Sequence, residues 1–425
     1  MILSLPSKPL LAYISVLLLA VAASLPGRTA EPTTPLLKNG DFTQVVDGRA
    51  RSWATGGWRP DGSVFKWESA DGSGTPGCVS IENKAENDAW FRQTVPVVPR
   101  QLYELSGYIK GENITGKGAL GACLGLHGGW LHTEAEGSKG TFGWKRVSMT
   151  FVANSNTADI VCRLGWFGQL VTGKAYFDHI CLTNAPGYAV RLGTNVSLYL
   201  EAADTASASD AVLTEWLRRL DQAYLDYSDL VGSKPYHGTS IGILSVRSYP
   251  GGWAVAGNPI RWHQRYVADE LARVAKNDEW SFGILHELGH DFDLDYRWVW
   301  NAEFWANLKM YYVVSKRNAS VSPGYSHVYY RGAGLKDYYQ KQGSATQLTW
   351  DYMTYRFITV FETVGWDAVK EAFRTLNALP SGKVPRTNQE KFDLYLETLS
   401  KASGQNVVSY FPRFELEWMR KENAR

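Results

Sequence analysis

Near Pro186-Gly187 the periodicity of the chain changes, and no single layer of secondary structure accommodates both sides of that change. From Leu36 to about Asn184 the sequence reads as short runs of alternating apolar and polar residues, punctuated by Gly, Asn, Asp and Pro. Examples are Tyr103-Glu-Leu-Ser-Gly-Tyr-Ile-Lys110, Arg146-Val-Ser-Met-Thr-Phe-Val152 and Ala158-Asp-Ile-Val-Cys-Arg-Leu164. A period of two sends one face of each strand into a core, and no long amphipathic helix interrupts the series. An antiparallel β-sandwich is expected.

Beyond Gly187 the apolar residues fall at helical spacing. Ser209-Asp210 is suited to cap a helix carrying Val212, Leu213, Trp216, Leu217, Leu220 and Tyr224 on one stripe. Helical patterns recur at 267–275, 281–292, 301–315, 350–364, 366–376 and 390–403, with a strand-like Ser240-Ile-Gly-Ile-Leu-Ser-Val246 after the first. This half is expected to be α+β and mostly helical. The 425 residues are ample for two such domains.

The N-terminus adds a third element. Lys8 precedes an apolar run from Leu10 to Ala23, broken only by Tyr13 and Ser15, and Pro26-Gly27 follows a zone of small residues. That layout predicts a signal peptide over 1–24, since the run falls short of the ~20 apolar residues that span a bilayer. The expected product is exported, whether extracellular, periplasmic or at the cell surface, with no stable membrane insertion after cleavage. The sandwich then occupies 31–187 and the helical domain 188–425.

Lys plus Arg number 44 against 42 Asp plus Glu, which argues against a nucleic-acid partner, as such a protein carries a basic excess or patch. The four cysteines, Cys78, Cys123, Cys162 and Cys181, all fall in the first half. Their even number in an exported chain permits two disulfides. Cys123 and Cys162 sit in apolar runs that suit buried thiols equally well. The 17 Trp fit either carbohydrate stacking or a Trp-rich core.

Ser281-Phe-Gly-Ile-Leu-His-Glu-Leu-Gly-His290 contains H-E-x-x-H. On a helix, residues four apart share a face, so His286 and His290 can hold one zinc ion while Glu287 acts as general base on a water the metal acidifies. A catalytic zinc needs a third protein ligand and an open position. Glu303 is the leading candidate, because its distance from His290 leaves room to end one helix and start another across it. Asp291, Asp293 and Asp295 are rivals in the intervening turn, better suited to capping or to orienting the histidines. For the oxyanion, His327, Tyr325 and Tyr355 all stand as candidates.

Several flanking segments resemble the enhancin-type, mucin-degrading zinc peptidases, family sixty of the metallopeptidases. They are Ala256-Gly-Asn-Pro-Ile260, Phe361-Glu-Thr-Val-Gly-Trp366, and Ser400-Lys-Ala-Ser-Gly-Gln-Asn406 followed by Tyr410-Phe411. The resemblance covers roughly 205–418 and implies a zincin-like (gluzincin) domain that cleaves glycoproteins beside an O-linked glycan. Trp253, Asn258 and Arg261 would then contribute to a cleft that holds both peptide and sugar. Asn258 stands where the family commonly has an aromatic residue.

The sandwich half is similar to galactose-binding-like jelly rolls that serve as carbohydrate-binding modules. The similarity rests on Leu36-Leu-Lys-Asn-Gly-Asp-Phe42, Ala89-Trp-Phe-Arg-Gln-Thr-Val95 and Ala175-Tyr-Phe-Asp-His-Ile-Cys-Leu182. It implies a structural calcium near Asp41 and Asp178, and sugar platforms among Trp58, Trp67, Trp130 and Trp166. The expected protein is a monomeric zinc endopeptidase acting on mucin-like glycoprotein. Two alternatives compete: a peptidase of plain protein or cell-wall peptide with a purely structural sandwich, and a non-catalytic glycan-binding adhesin.

Overall fold

Alternation along the first half produces two antiparallel sheets face to face. One runs in the order Ala54–Gly57, Ala89–Pro96, Thr157–Leu164, Ala122–Leu126. The other runs Ser63–Glu68, Cys78–Asn87, Val171–Asn184, Leu102–Gly116, Gly140–Val152. The computed structural model describes residues 36–424 except 75, 119, 130, 134–135, 248–251, 294–295 and 325. The expected signal peptide lies outside the described residues, as do Trp130, Asp295 and Tyr325. In register, Phe91 faces Cys162 and Ala89 faces Leu164, while across the sandwich Val79 pairs with Phe177 and Ile81 with Ala175. These inward sets merge into one apolar core, the β-sandwich the alternation implies and the jelly-roll class the resemblance adds.

All four cysteines are free. Cys162 stands opposite Leu124 and Arg163 opposite Cys123, so the two thiols project from opposite faces of their sheet and cannot join. Cys181 pairs with Ser106 of one neighbouring strand, while Cys78 lies on the other neighbour. The disulfides that an even count permits do not form. Burial instead pushes Cys78 and Cys123 up to about 12, keeping both as thiols.

The second half opens with strands of its own. A mixed sheet runs Tyr188–Leu192, Val196–Glu201, Ile241–Val246, Ile260–His263, Ala254–Val255, antiparallel at both ends and parallel between. The sequence reading found only the third of these strands. Ile260–His263 and Ala254–Val255 have only four and two residues, too few to show an alternation. Helix α1 (Asp210–Val231) makes the crossover between the first two parallel strands, capped by Ser209 accepting from the Val212 N–H and closed by Gly232 at φ 74°. Its buried stripe includes Leu213, Trp216, Leu217, Leu220 and Tyr224, as the spacing predicts.

Among the described residues eight further helices follow: α2 (Val267–Asn277), α3 (Phe282–His290), α4 (Ala302–Arg317), α5 (Leu335–Gln340), α6 (Trp350–Val364), α7 (Trp366–Asn377), α8 (Asn388–Ser403) and α9 (Arg413–Asn423). Tyr227 of α1 donates to the Leu285 carbonyl at 2.8 Å, tying α3 to the helix behind it. Trp300 and Trp305 pack edge-on against Tyr395 of α8, with Phe373 of α7 beside Trp305. Much of the tryptophan is therefore core: Trp216, Trp262, Trp298 and Trp305 are fully buried.

Between the two halves, Leu102 and Val152 of the sandwich meet Tyr199 and Leu244 of the mixed sheet in a small apolar cluster. Tyr199 donates its hydroxyl to the Arg100 carbonyl at 2.8 Å, and Arg100 donates to Ser197 Oγ at 2.7 Å. No helix among the described residues is long and apolar enough to cross a membrane.

Candidate metal centre

Helix α3 is short and apolar on the side it buries, Ile284, Leu285 and Leu288. Its start is held by Ser281, whose Oγ accepts from the Ile284 N–H. The opposite face carries His286 and His290, one turn apart. Gly289 explains how α4 comes close: a Cβ there would stand 3.2 Å from the Ala306 carbonyl oxygen of α4. That contact brings the first turn of α4, started by Asn301 accepting from the Phe304 N–H, across the histidines. Glu303 lies in that turn.

The result is a convergence of three ligand atoms. His286 Nε2 lies 3.1 Å from His290 Nε2 and 3.0 Å from Glu303 Oε2, and His290 Nε2 lies 3.6 Å from Glu303 Oε1. Zinc bonds of about 2.0–2.1 Å in a tetrahedron put neighbouring ligand atoms about 3.3 Å apart. The triad fits a zinc ion, and among the described residues it is the one such group of His, Cys, Asp and Glu. His286 and His290 are half-buried while Glu303 is exposed, so one side of the site opens to solvent.

The surroundings orient each ring. His286 Nδ1 meets Asn307 Oδ1 at 2.9 Å, and Asn307 in turn donates to Asp351 of α6 at 3.2 Å. Asp293 Oδ2 lies 3.7 Å from His290 Nδ1. Burial alone would pull His290 down, but the Asp293 and Glu303 carboxylates outweigh it and hold the imidazole up at about 9. The two imidazoles keep Glu303 far below the usual carboxylate range. Burial pushes Glu287 upward, while the histidines beside it and the Ala256 N–H it accepts pull it back.

Of the rival acids, Asp291 accepts from Tyr236 Oη at 2.8 Å and from the Gly257 N–H. Asp293 pairs with Lys309.

Trp253 lies close to the helix that carries the histidines. With Phe282, Gly283, His286, Glu270, Arg273, Ser322 and Gly324 it lines a cavity of about 240 Å³ beside the metal ligands. A Cβ at Gly283 would come within 2.4 Å of the Trp253 ring, so glycine makes room for it. Asn258 and Arg261 are redirected. The Asn258 amide is spent on backbone, accepting from the Gly242 N–H and donating to the Ser240 carbonyl, each at 3.0 Å. Arg261 alternates to the sheet face opposite buried Trp262 and lines a crevice against the sandwich, with His132, Glu201 and Arg247. His327 is exposed, and Tyr355 packs on Tyr352 beneath the Lys336 ammonium.

In the sandwich, Asp178 is fully buried and accepts from the Ser73 and His179 N–H groups. Burial and the nearby charge of Asp41 raise its carboxyl, while those two N–H groups lower it. Trp67 donates to the Phe42 carbonyl at 2.9 Å and Trp166 has no exposed surface, whereas Trp58 is 73% exposed.

Asn307, Lys309 and Asp351 lie outside the expected site residues. Asn307 follows Glu303 by one helical turn, and Lys309 interrupts an otherwise apolar stretch of α4. Both were visible irregularities.

Residues 195–415 match the sequence profile of a family described as peptidase M60, enhancin and enhancin-like. No curated protein matches the chain. Among solved structures, a functionally unknown conserved protein from Bacillus anthracis str. Ames is similar at 14% identity. The alignment covers 78% of each chain, with a TM-score of 0.45. A metallopeptidase from Bacteroides thetaiotaomicron is similar at 13% identity over 76% of this chain and 59% of its own, TM-score 0.40. A metallopeptidase in complex with Tn antigen matches at 12% identity over 74% and 64%, TM-score 0.39.

Proposed function

The chain belongs to the peptidase M60 family, enhancin and enhancin-like, and from that premise we propose that this zinc peptidase cleaves O-glycosylated, mucin-like proteins outside the cell. The observation that carries the chemistry is the convergence of His286, His290 and Glu303 beside an unligated Glu287. Zinc held there supplies Lewis acidity to a water and to the scissile carbonyl. Glu287, with the Ala256 N–H beside its carboxylate, would take the proton from the attacking water and pass it to the departing amine. Ala254–Val255 is the edge of its sheet, so an extended substrate backbone can pair along it and lie across the site.

What supports a glycan beside the peptide is the adjoining cavity. Trp253 and Phe282 supply aromatic faces for a sugar ring, and Glu270, Arg273 and Ser322 supply polar groups for its hydroxyls. The decisive experiment compares an O-glycosylated substrate with its deglycosylated twin. Cleavage of the glycosylated form alone is expected. Equal rates on both would transfer the reading to a peptidase of plain polypeptide.

The finer parts of the reading concern the rest of the chain. We place the signal peptide at 1–24 and the domain boundary at 187/188, and the N-terminus of the exported protein tests the first. The sandwich acts as a glycan-targeting module with Trp58 as its platform, the one described candidate whose ring is open to a sugar. A calcium between Asp41 and Asp178 would favour the ionised carboxyl against the burial and the Asp41 charge that raise it. One assay serves both: retention of the full chain on immobilised mucin, with the melting temperature followed alongside. Trp58→Ala is expected to reduce retention without changing the melting temperature, and a calcium chelator to lower that temperature. Undiminished retention would end the platform reading, and an unmoved melting temperature the calcium reading.

A further inference from the structure

Lys309 stands on α4 nearly two turns beyond Glu303, and its side chain has no exposed surface. Its neighbours in the helix, Leu308, Met310, Tyr311 and Tyr312, are buried and uncharged. An ammonium in such surroundings is tolerated only against an opposite charge, and Asp293 Oδ1, itself buried, supplies it.

The other oxygen of Asp293 is the informative one. Oδ2 is buried, has no hydrogen-bond partner, and lies 3.7 Å from His290 Nδ1. The Nε2 of His290 is the nitrogen turned towards His286 and Glu303. Ligation through Nε2 leaves the ring proton on Nδ1, where the nearest unsatisfied acceptor is that oxygen. We propose that Lys309 is a positioning residue of the zinc site: by anchoring Asp293 Oδ1 it holds Oδ2 where the ligated His290 donates to it.

A pair serving packing alone would bear the desolvation of two ions and have no reason to aim an unsatisfied oxygen at a metal ligand. Asn307 provides the parallel on the other ring, meeting His286 Nδ1 at 2.9 Å from the same helix. Helix α4 thus contributes the third ligand and both outer anchors, one direct and one through Asp293. Outer partners of this kind set ligand orientation and basicity, and losing one typically weakens metal binding about 10- to 100-fold.

The inference rests on the zinc reading above, and the experiment separates the two. Zinc affinity, by chelator competition, and the melting temperature of the metal-free protein are measured for wild type, Lys309→Met and Lys309→Met/Asp293→Asn. Lys309→Met is expected to weaken zinc about 10- to 100-fold and to lower the metal-free melting temperature, because Asp293 is left unpaired. The double variant removes both charges. It is expected to recover the melting temperature while zinc binding stays weak, a split that a purely structural pair would not produce. Should Lys309→Met fail to fold, the double variant carries the test alone. Wild-type affinity in the double variant would overturn the proposal, whereas a wild-type protein that binds no zinc would overturn the zinc reading beneath it.

Discussion

Replacing Glu287 by Gln or Ala is expected to leave zinc bound at wild-type stoichiometry while turnover falls about 10²- to 10⁴-fold, the usual contribution of a general base. The separation follows from geometry. His286, His290 and Glu303 converge on one point, and Glu287 belongs to no ligand pair in that group; its carboxylate accepts from the Ala256 N–H instead. Gln keeps the shape and an acceptor for that N–H, so the edge strand should stay in place. What it loses is the capacity to take a proton. Metal content and single-turnover rates on one glycopeptide measure the two quantities independently. A Gln variant retaining a tenth or more of wild-type turnover would remove Glu287 from the base role, and a variant that sheds its zinc would make it a ligand.

Glu287 and the two histidines were legible as one group because their spacing is helical and short-range. Three residues within one turn of α3 need no tertiary information to be placed on one face. Glu303 was legible for a weaker reason, namely that the intervening chain is long enough to turn. The structure adds the physical cause of its approach, the missing side chain at Gly289. Helices α1, α4, α6, α7 and α8 showed themselves through periodic burial. Periodicity hides α5, which has only six residues, and α9, where Arg413, Glu415, Glu417, Arg420, Lys421 and Glu422 dilute the apolar stripe.

Contacts decided by the third dimension stayed hidden. Asn258 sits beside the expected cleft in sequence, yet its amide is consumed by the backbone of Ser240 and Gly242 on the neighbouring strand. Arg261 is one residue from Trp262, and on a strand one residue is the difference between two faces. The four cysteines illustrate the same point. Their number suggested pairs, but register sets Cys123 and Cys162 back to back. In the sandwich, composition could not tell Trp58 from Trp166, because exposure is a property of the loops and strands packed around a ring.

Glu303→Ala is expected to abolish stable zinc binding, and so is His290→Ala, since each leaves two ligands where a catalytic site needs three. The wild-type site should also show a pH dependence that reveals its electrostatics. In the metal-free protein Asp293 and Glu303 hold His290 up at about 9, above its ordinary 6.5, whereas Glu303 stays ionised throughout because its shift is downward. Zinc takes the neutral imidazole, so below about pH 9 each binding event must release a proton from His290. Apparent zinc affinity is therefore expected to rise about tenfold per pH unit from neutrality to about pH 9 and then level off. The metal-free fold should behave in the opposite sense. A raised folded-state pKa contributes stability that is fully present below the unfolded value near 6.5 and is lost as the pH rises through about 9. Chelator competition and thermal melting across that range give the two slopes, and Glu303→Ala should flatten the second, because one of the two carboxylates holding the imidazole proton has gone. Zinc affinity independent of pH between 7 and 9 would mean that His290 carries no extra proton in the metal-free protein, whereas a Glu303→Ala variant that binds zinc as wild type does would mean that the third ligand lies elsewhere.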